Sequence, residues 1–439
     1  MKRRNFINVT SGLSAITLLP EIVNAAVEKK NSESVKSSGG STFNPAYLAK
    51  LRAQYEYDVF EDFIPFFDKY IVDHKFGSFM STTDHDGSHA NTDTDASYMG
   101  RGIWCYSFLY NNLAKEDKYL DIAQKGVDFI IKHRPANDDF WPGKYTREGD
   151  VINSAKGNYA SDCYIAEGLA EYGRASGETK YMDIAKETIF KCLNYYDNPD
   201  FTDGSTPYTG ARNLWYWMLL MWFGTCWLKN KPDAELEKLV ARCQNAILNY
   251  HQNPKFNLMN NYINHDLSRS DDPKHYGLAA CGHATEATWM MMYEAVRTKN
   301  KALFDTAAER FRRHALVSKD QVYGGYYNDC TDVDKNIWEL NKVSWAQTFI
   351  LINSLYIVEN TGSEWAKDVF TDQFNWVQEK LPLKKYGFAF WLEPNDRFAT
   401  FVPHAGRKDN YHHTRHLMLN LANLRRMTER AGKVSRVFR

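Results

Sequence analysis

The sequence predicts an all-α fold built as a toroid of paired helices, on three observations. Apolar residues recur at three- and four-residue intervals through about twelve separate stretches, the spacing that lines one face of a helix. Alternating patterns of the strand type are confined to short pieces such as Gly77–Met80 and Gly324–Tyr327. Breaks rich in Gly, Asp and Asn, notably Asp84–Asp95, Asp197–Gly210 and Phe256–Tyr276, fall between helices. Long loops gathered at one end of such a toroid would build its site.

The chain opens on a segment that reads as an address. Lys2, Arg3 and Arg4 form a basic cluster, Asn5-Phe6-Ile7 follows, and an apolar stretch from Leu13 to Leu19 leads to Val23-Asn24-Ala25. This resembles a twin-arginine export signal cleaved near Ala25 or Ala26, and it is too short and too rich in Ser and Thr to span a bilayer. Residues 1–25 are assigned to that signal, which implies a periplasmic or secreted protein. Residues 26–42, including the run EKKNSESVKSSGGST, read as a polar linker. No composition shift divides 43–439, which is expected to be one domain. Within it the helical spacing runs over Tyr47–Tyr70, Tyr98–Leu113, Tyr119–Lys132, Ser161–Ser176, Tyr181–Tyr196 and Trp215–Leu228. It continues over Ala234–His251, His283–Arg297, Lys301–Leu316, Ser344–Glu359, Ser363–Lys380 and His412–Met427.

Composition narrows the function. Lys and Arg number 54 against 54 Asp and Glu, so the chain lacks the electrostatic footprint of a nucleic-acid binder or of a polybasic membrane-surface protein. Twelve Trp, 27 Tyr and 25 Phe supply more apolar area than a core needs to offset chain entropy, which excludes global disorder. Seven cysteines are widely spaced without a Cys-x-x-Cys pair, a pattern unlike a zinc ribbon or a redox motif. Most lie inside apolar helical patterns, where a free thiol packs as a small hydrophobe. An exported protein could still form one or two bridges.

Five segments, in this order along the chain, resemble the N-acylglucosamine 2-epimerase superfamily, which includes cellobiose 2-epimerases and aldose–ketose isomerases. They are Gly100-Arg101-Gly102-Ile103-Trp104, Tyr159-Ala160-Ser161-Asp162 running into Gly168–Tyr172, Cys281-Gly282-His283-Ala284-Thr285-Glu286-Ala287, Lys342-Val343-Ser344-Trp345-Ala346-Gln347, and Tyr411-His412-His413-Thr414-Arg415. The resemblance implies an (α/α)6 barrel, a carbohydrate substrate, and neither cofactor nor metal; the expected assembly is a monomer or homodimer. Epimerising an open-chain sugar removes a proton beside a carbonyl and returns it, work suited to imidazoles that titrate near neutral pH. The resemblance makes His283 and His412 the catalytic acid and base, Arg101 the holder of sugar oxygens, and Glu286 a partner for a sugar hydroxyl or for His283. Trp104, Trp215, Trp217, Trp345 and Trp391 are candidate sugar-stacking platforms, and Tyr216 and Tyr411 candidate helpers in proton transfer.

The sequence also departs from the family pattern. Where the family usually carries Glu in a Trp-x-Gln-x-Glu motif, this chain has Phe349 after Trp345 and Gln347; where an Asn-x-His-x-His pair is common, it reads Asn213-Leu214-Trp215-Tyr216-Trp217. Five residues before His412, at the place of a sugar-stacking Trp in cellobiose epimerases, stand Arg407 and then Lys408. Cations near the site suit a uronate, whose carboxylate they would neutralise while a base removes the adjacent proton. The leading expectation is therefore β-elimination on an acidic oligosaccharide, with His283 and His412 moving protons and Arg101, Arg407 and Lys408 binding the acid. The alternatives are family-typical 2-epimerisation or isomerisation, and glycoside hydrolysis or sugar binding, for which Asp95, Asp162, Glu167 and Glu286 are the carboxylates at hand.

Two motifs carry little. Asp84-His85-Asp86-Gly87 with Asp93 and Asp95 resembles a calcium loop but has Asp95 where the bidentate Glu belongs, and a β-turn is expected instead. His412, His413 and His416 have metal-ligand spacing without the intervening acidic residue of a metalloprotease helix.

Overall fold

The first helical rod shows how local chemistry sets each element. Asn44 caps it, its side-chain oxygen accepting from the Tyr47 amide at 2.9 Å, and Pro45 sits in the first turn, where no N–H is needed. α1 (Pro45–Tyr57) continues through a wide turn, Asp58–Phe63, into α2 (Ile64–Tyr70). Pro65 cannot donate to the ladder, and the Ile64 amide bonds the Val59 carbonyl five residues back. The computed structural model describes residues 43–80, 82–83, 86–137, 139–152, 158–382 and 411–439, with the backbone of 393–395 and 398–400.

The helices that follow are α3 (Ala96–Asn112), α4 (Asp117–Ile131), α5 (Tyr159–Ser176), α6 (Thr179–Asp197), α7 (Leu214–Leu228) and α8 (Ala234–Asn245, extended by the wide turn Ala246–Tyr250). After the single-turn α9 (Pro273–Tyr276) come α10 (Cys281–Arg297), α11 (Lys301–Ser318), α12 (Ser344–Thr361), α13 (Glu364–Lys380) and α14 (His412–Glu429). Helices α3, α5, α7, α10, α12 and α14 pack side by side into an inner ring, which closes where α14 meets α3. The others flank it, α4, α6, α8, α11 and α13 each behind the inner helix before it, and α1 behind α14. Each of the twelve predicted helical stretches corresponds to a rod among the described residues, to within a few residues at its ends.

Loop length sorts the two ends. An inner helix passes to its outer partner through two to five residues, as at 177–178 and 229–233, whereas 16 to 31 residues lead from an outer rod to the next inner helix. All six inner N-termini therefore lie at the long-loop end. Gly177 and Gly362, at φ of 79° and 71°, provide the left-handed turns that end α5 and α12. Helix α12 is buried around nearly its whole circumference because ring neighbours press on both sides and α13 lies behind it. Each fully buried Leu, Ile or Phe in such a wall contributes about 1.5–3 kcal/mol.

Small antiparallel sheets pin the long loops. They pair β1 (Thr94–Asp95) with β2 (Lys144–Tyr145), β3 (Arg212–Asn213) with β6 (Tyr262–Ile263), and β4 (Gln252–Asn253) with β5 (Leu258–Met259). β7 (Ala279–Ala280), β8 (Asp329–Asp332) and β9 (Ile337–Glu339) make a three-stranded sheet, and β10 (Glu393–Asn395) pairs with β11 (Phe398–Thr400). Strands β1, β3 and β7 run directly into α3, α7 and α10, which fixes the start of three inner helices. The strand-like pieces seen in the sequence form only single bridges, Val72 with Phe79 and Lys319 with Tyr326. All seven cysteines are free thiols. Asp86 accepts hydrogen bonds from the Ser88 amide and hydroxyl beside Gly87 at φ 89°, a turn as expected; Asp84 and His85 lie outside the described residues.

Candidate active site

Each inner helix brings its first two turns to the mouth of the ring, so depth follows position within the helix. The second or third residue supplies Trp215, His283 and Trp345; the sixth supplies Arg101, Tyr164, Glu286 and Phe349; the ninth supplies Trp104, Glu167, Trp222 and Trp289. At 1.5 Å per residue these levels are roughly 4.5–6 Å apart. Tyr411, the residue before α14, and His412 enter at the upper level.

Two glycines allow the walls to close. A Cβ on Gly100 would stand 2.3 Å from the Tyr164 carbonyl carbon, and one on Gly168 would stand 2.4 Å from the Gly100 oxygen. Helices α3 and α5 thus touch backbone to backbone, which brings the Arg101 guanidinium 4.0 Å over the Tyr164 ring. Likewise a Cβ on Gly282 would meet Asn328 Oδ1 at 2.1 Å and Trp345 at 2.8 Å. The adjacent His283 ring lies between two indoles, 5.2 Å from Trp345 and 5.9 Å from Trp215, with planes within 20° and 12°.

His283 is in a setting that favours neutral imidazole. Burial between the indoles pulls its pKa below the ordinary value; Glu286 opposes that shift and His412 adds to it. Its Nδ1 is buried without a hydrogen-bond partner among the described residues, while the residue as a whole is part-exposed. His412 stands 6.1 Å from the Trp345 ring and 5.5 Å from Tyr411. Trp345 therefore touches both imidazoles. Arg101 faces Tyr411 from 5.2 Å and lines a mouth cavity of about 330 Å³ with Ser161, Tyr164, Asp203, Trp215 and Tyr216.

Beneath this level lies a polar floor. Arg415 is fully buried, donates Nη1 to the Tyr411 hydroxyl at 2.9 Å and pairs through Nη2 with Glu286. Burial opposes the Arg415 charge, but Tyr411, Glu286 and Glu167 outweigh it and raise its pKa. The Tyr411 hydroxyl donates to Glu167 Oε2 at 2.7 Å, and Trp222 Nε1 donates to Glu167 Oε1 at 2.9 Å. Burial pushes the Glu167 carboxyl up to about 7, with Arg415, Tyr411, Trp222 and Arg101 pulling the other way. Glu286 is thus the counter-ion of Arg415, and no hydrogen bond joins it to His283 among the described residues.

The structure brings together Arg101, Tyr216, His283, Trp345, Tyr411 and His412 around the mouth, with Glu286 in the floor. It moves others away. Trp104 is 1% exposed, stacks on Phe108 at 4.9 Å and lines a cavity toward the opposite pole, so it is no mouth platform. Trp217 is buried against Tyr196 and Arg242. The Tyr216 hydroxyl is engaged by Asp203 and Ser205. Of the hydrolase carboxylates, Asp162 is fully buried and paired with Lys191 at 2.6 Å, while Glu167 and Glu286 sit in the polar floor, engaged by Tyr411 and Arg415. Arg407, Lys408 and Trp391 lie outside the described residues. Sequence reasoning missed Arg415, Tyr164 and Asp203 as site components; the signal for Arg415 was a cation one turn after Tyr411 on an otherwise apolar helix face.

The ring of helical hairpins is that of (α/α)6-barrel proteins, and similar solved structures share it end to end. Cellobiose 2-epimerase from Bacillus thermoamylovorans has a TM-score of 0.72 at 15% identity, covering 85% of this chain and 99% of its own. A D-mannose isomerase has a TM-score of 0.71 at 13% identity, covering 89% and 100%. The chain belongs to the N-acylglucosamine 2-epimerase (GlcNAc 2-epimerase) family, whose profile matches residues 77–415. Human N-acylglucosamine 2-epimerase is 22% identical over 287 residues, a stretch covering 61% of this chain and 64% of the human protein.

Proposed function

We propose that this protein is a sugar 2-epimerase or aldose–ketose isomerase that moves a proton beside the carbonyl of a ring-opened sugar. The observation that carries the reading is His283, held toward the neutral form between Trp215 and Trp345, with His412 across the same indole. One imidazole removes the C2 proton, and the electron pair moves into a C1–C2 double bond while negative charge develops on O1. Arg101 holds that oxygen as its charge grows. Return of a proton to C2 from the opposite face by the second imidazole gives the epimer, as O1 regains its carbonyl; return to C1, with the O2 proton passing to O1, gives the ketose.

A neutral sugar matches the mouth best. Among the described residues lining the mouth cavity, the cation Arg101 is balanced by the carboxylate Asp203, and the indoles offer flat apolar faces to a pyranose. β-Elimination on a uronate rests on Arg407 and Lys408 and becomes the competing outcome of one assay. The protein is incubated with mannose, N-acetylglucosamine, cellobiose and an oligouronate, and products are resolved by chromatography with ultraviolet detection. A new epimer or ketose without ultraviolet absorbance supports the reading; a conjugated unsaturated uronate as sole product overturns it. The reading places this chemistry outside the cytoplasm, which mature protein beginning near Ala26 in an exported fraction would support and an intact N-terminus in the cytosol would refute.

A further inference from the structure

A second cavity, of about 380 Å³, lies at the pole opposite the mouth, and all six inner helices contribute to it. Its body is aromatic: Tyr293 and Tyr356 stack at 4.1 Å with planes within 9°, and Trp222 meets the Tyr293 ring edge-on at 5.7 Å. Its rim is basic. Most of that charge has a structural explanation, because cations settle helix C-termini and these are already paired. Arg297 binds Glu294 and Glu237, while Arg426 and Arg430 share Glu359.

What that explanation leaves over is one group of donors on neighbouring helices. Lys229, directly after α7, lines the cavity at its exposed rim, and its Nζ makes no hydrogen bond or ion pair among the described residues. Thr225 lines it one turn earlier, is 4% exposed, and its hydroxyl has no partner among the described residues. A helical Thr normally turns its hydroxyl back to the carbonyl four residues earlier, as Thr188, Thr306 and Thr428 do here; Thr225 does not. Arg174, on α5, pairs with Glu171 through Nη2 but leaves Nε buried and without a partner among the described residues. Desolvation by the cavity wall, together with Arg426 and Arg174, lowers the pKa of this solvent-facing lysine, against the pull of Cys226 and Glu171. Such a cation gains from an anion placed beside it.

We propose that this polar-rimmed cavity binds a small amphipathic anion, its aromatic or alicyclic body against Trp222, Tyr293 and Tyr356 and its carboxylate or phosphate against Lys229, Thr225 and Arg174. The probe is anilinonaphthalene sulfonate, titrated by fluorescence into the full chain and then displaced by naphthoate, naphthyl phosphate or uncharged naphthalene methanol. The expected result is saturable binding, displaced by one or both anions and at least about tenfold less well by the alcohol. Whichever anion displaces better tells carboxylate from phosphate. Lys229→Met and Ala422→Trp, which fills the cavity from another wall, each weaken the probe about tenfold or more, Lys229→Arg retains it, and Trp345→Ala at the mouth leaves it unchanged. Failure of the wild type to saturate, equal displacement by the alcohol, loss in Trp345→Ala, or unchanged affinity in whichever of Lys229→Met and Ala422→Trp folds overturns the proposal.

Discussion

His283 owes its character to two flat neighbours. Their indoles exclude water from the imidazole, and desolvation penalises the charged form. The acid limb of kcat/KM should therefore fall below the pH expected of an ordinary imidazole. Trp345→Ala admits water, raises the His283 pKa and shifts that limb to higher pH, which a pH–rate profile measures. Glu167 makes the opposite kind of prediction. Its folded pKa of about 7 exceeds the ordinary value of 4.5, so the unfolded chain binds fewer protons between them and stability falls as pH rises through that window. Glu167→Gln removes the dependence; its melting temperature relative to wild type should rise from pH 4.5 to pH 7, by an amount worth at most about 3 kcal/mol. The shared placement of His283, His412 and Arg101 at the mouth was readable because the motifs fall in the first two turns of inner helices. Trp104 was misread because spacing alone does not give depth: three residues past Arg101 is one turn further in, at the level of Glu167 and Trp222 in the floor.

At the scale of elements, helices were legible and their junctions were not. Periodicity marks the outer rods well, and even α7, almost wholly apolar, and α12, buried nearly all round, read as helices, since length distinguishes them from strands. The wide turns at Asp58–Phe63 and Ala246–Tyr250 keep helical side-chain spacing, so no sequence pattern announces them. Strands of two residues, such as β1, β3 and β7, are too short to alternate; they exist because loop partners hold them. The Gly100 contact ties element to site. Gly100→Ala forces α3 from the α5 backbone, should cost about 1–3 kcal/mol, and should raise KM more than it lowers kcat if Arg101 loses its seat over Tyr164. Thermal melting and steady-state kinetics on the same sample check both parts.

Over the whole molecule, the aromatic richness divides by depth. Trp215 and Trp345 stand beside the imidazoles, Trp104, Trp222 and Trp289 form a layer below them, and Tyr293 and Tyr356 line the far pole. Ring closure depends on α14, whose face meets both α3 and α1, so mouth residues distant in sequence meet only when the toroid is complete. The packed unit is Phe43–Arg439; a chain beginning at Phe43 should retain the melting temperature and kcat/KM of the full protein within error, measured by calorimetry and kinetics. The proposed chemistry rests on two imidazoles acting on one carbon. The measurement that tests this most directly is deuterium incorporation at C2 of an accepted sugar in heavy water, followed by NMR for wild type, His283→Ala and His412→Ala. The account predicts C2 label in wild-type product and its loss, with turnover reduced by about a hundredfold or more, in each variant that retains the fold. Wild-type turnover without label at C2, or activity that survives both substitutions, would contradict it.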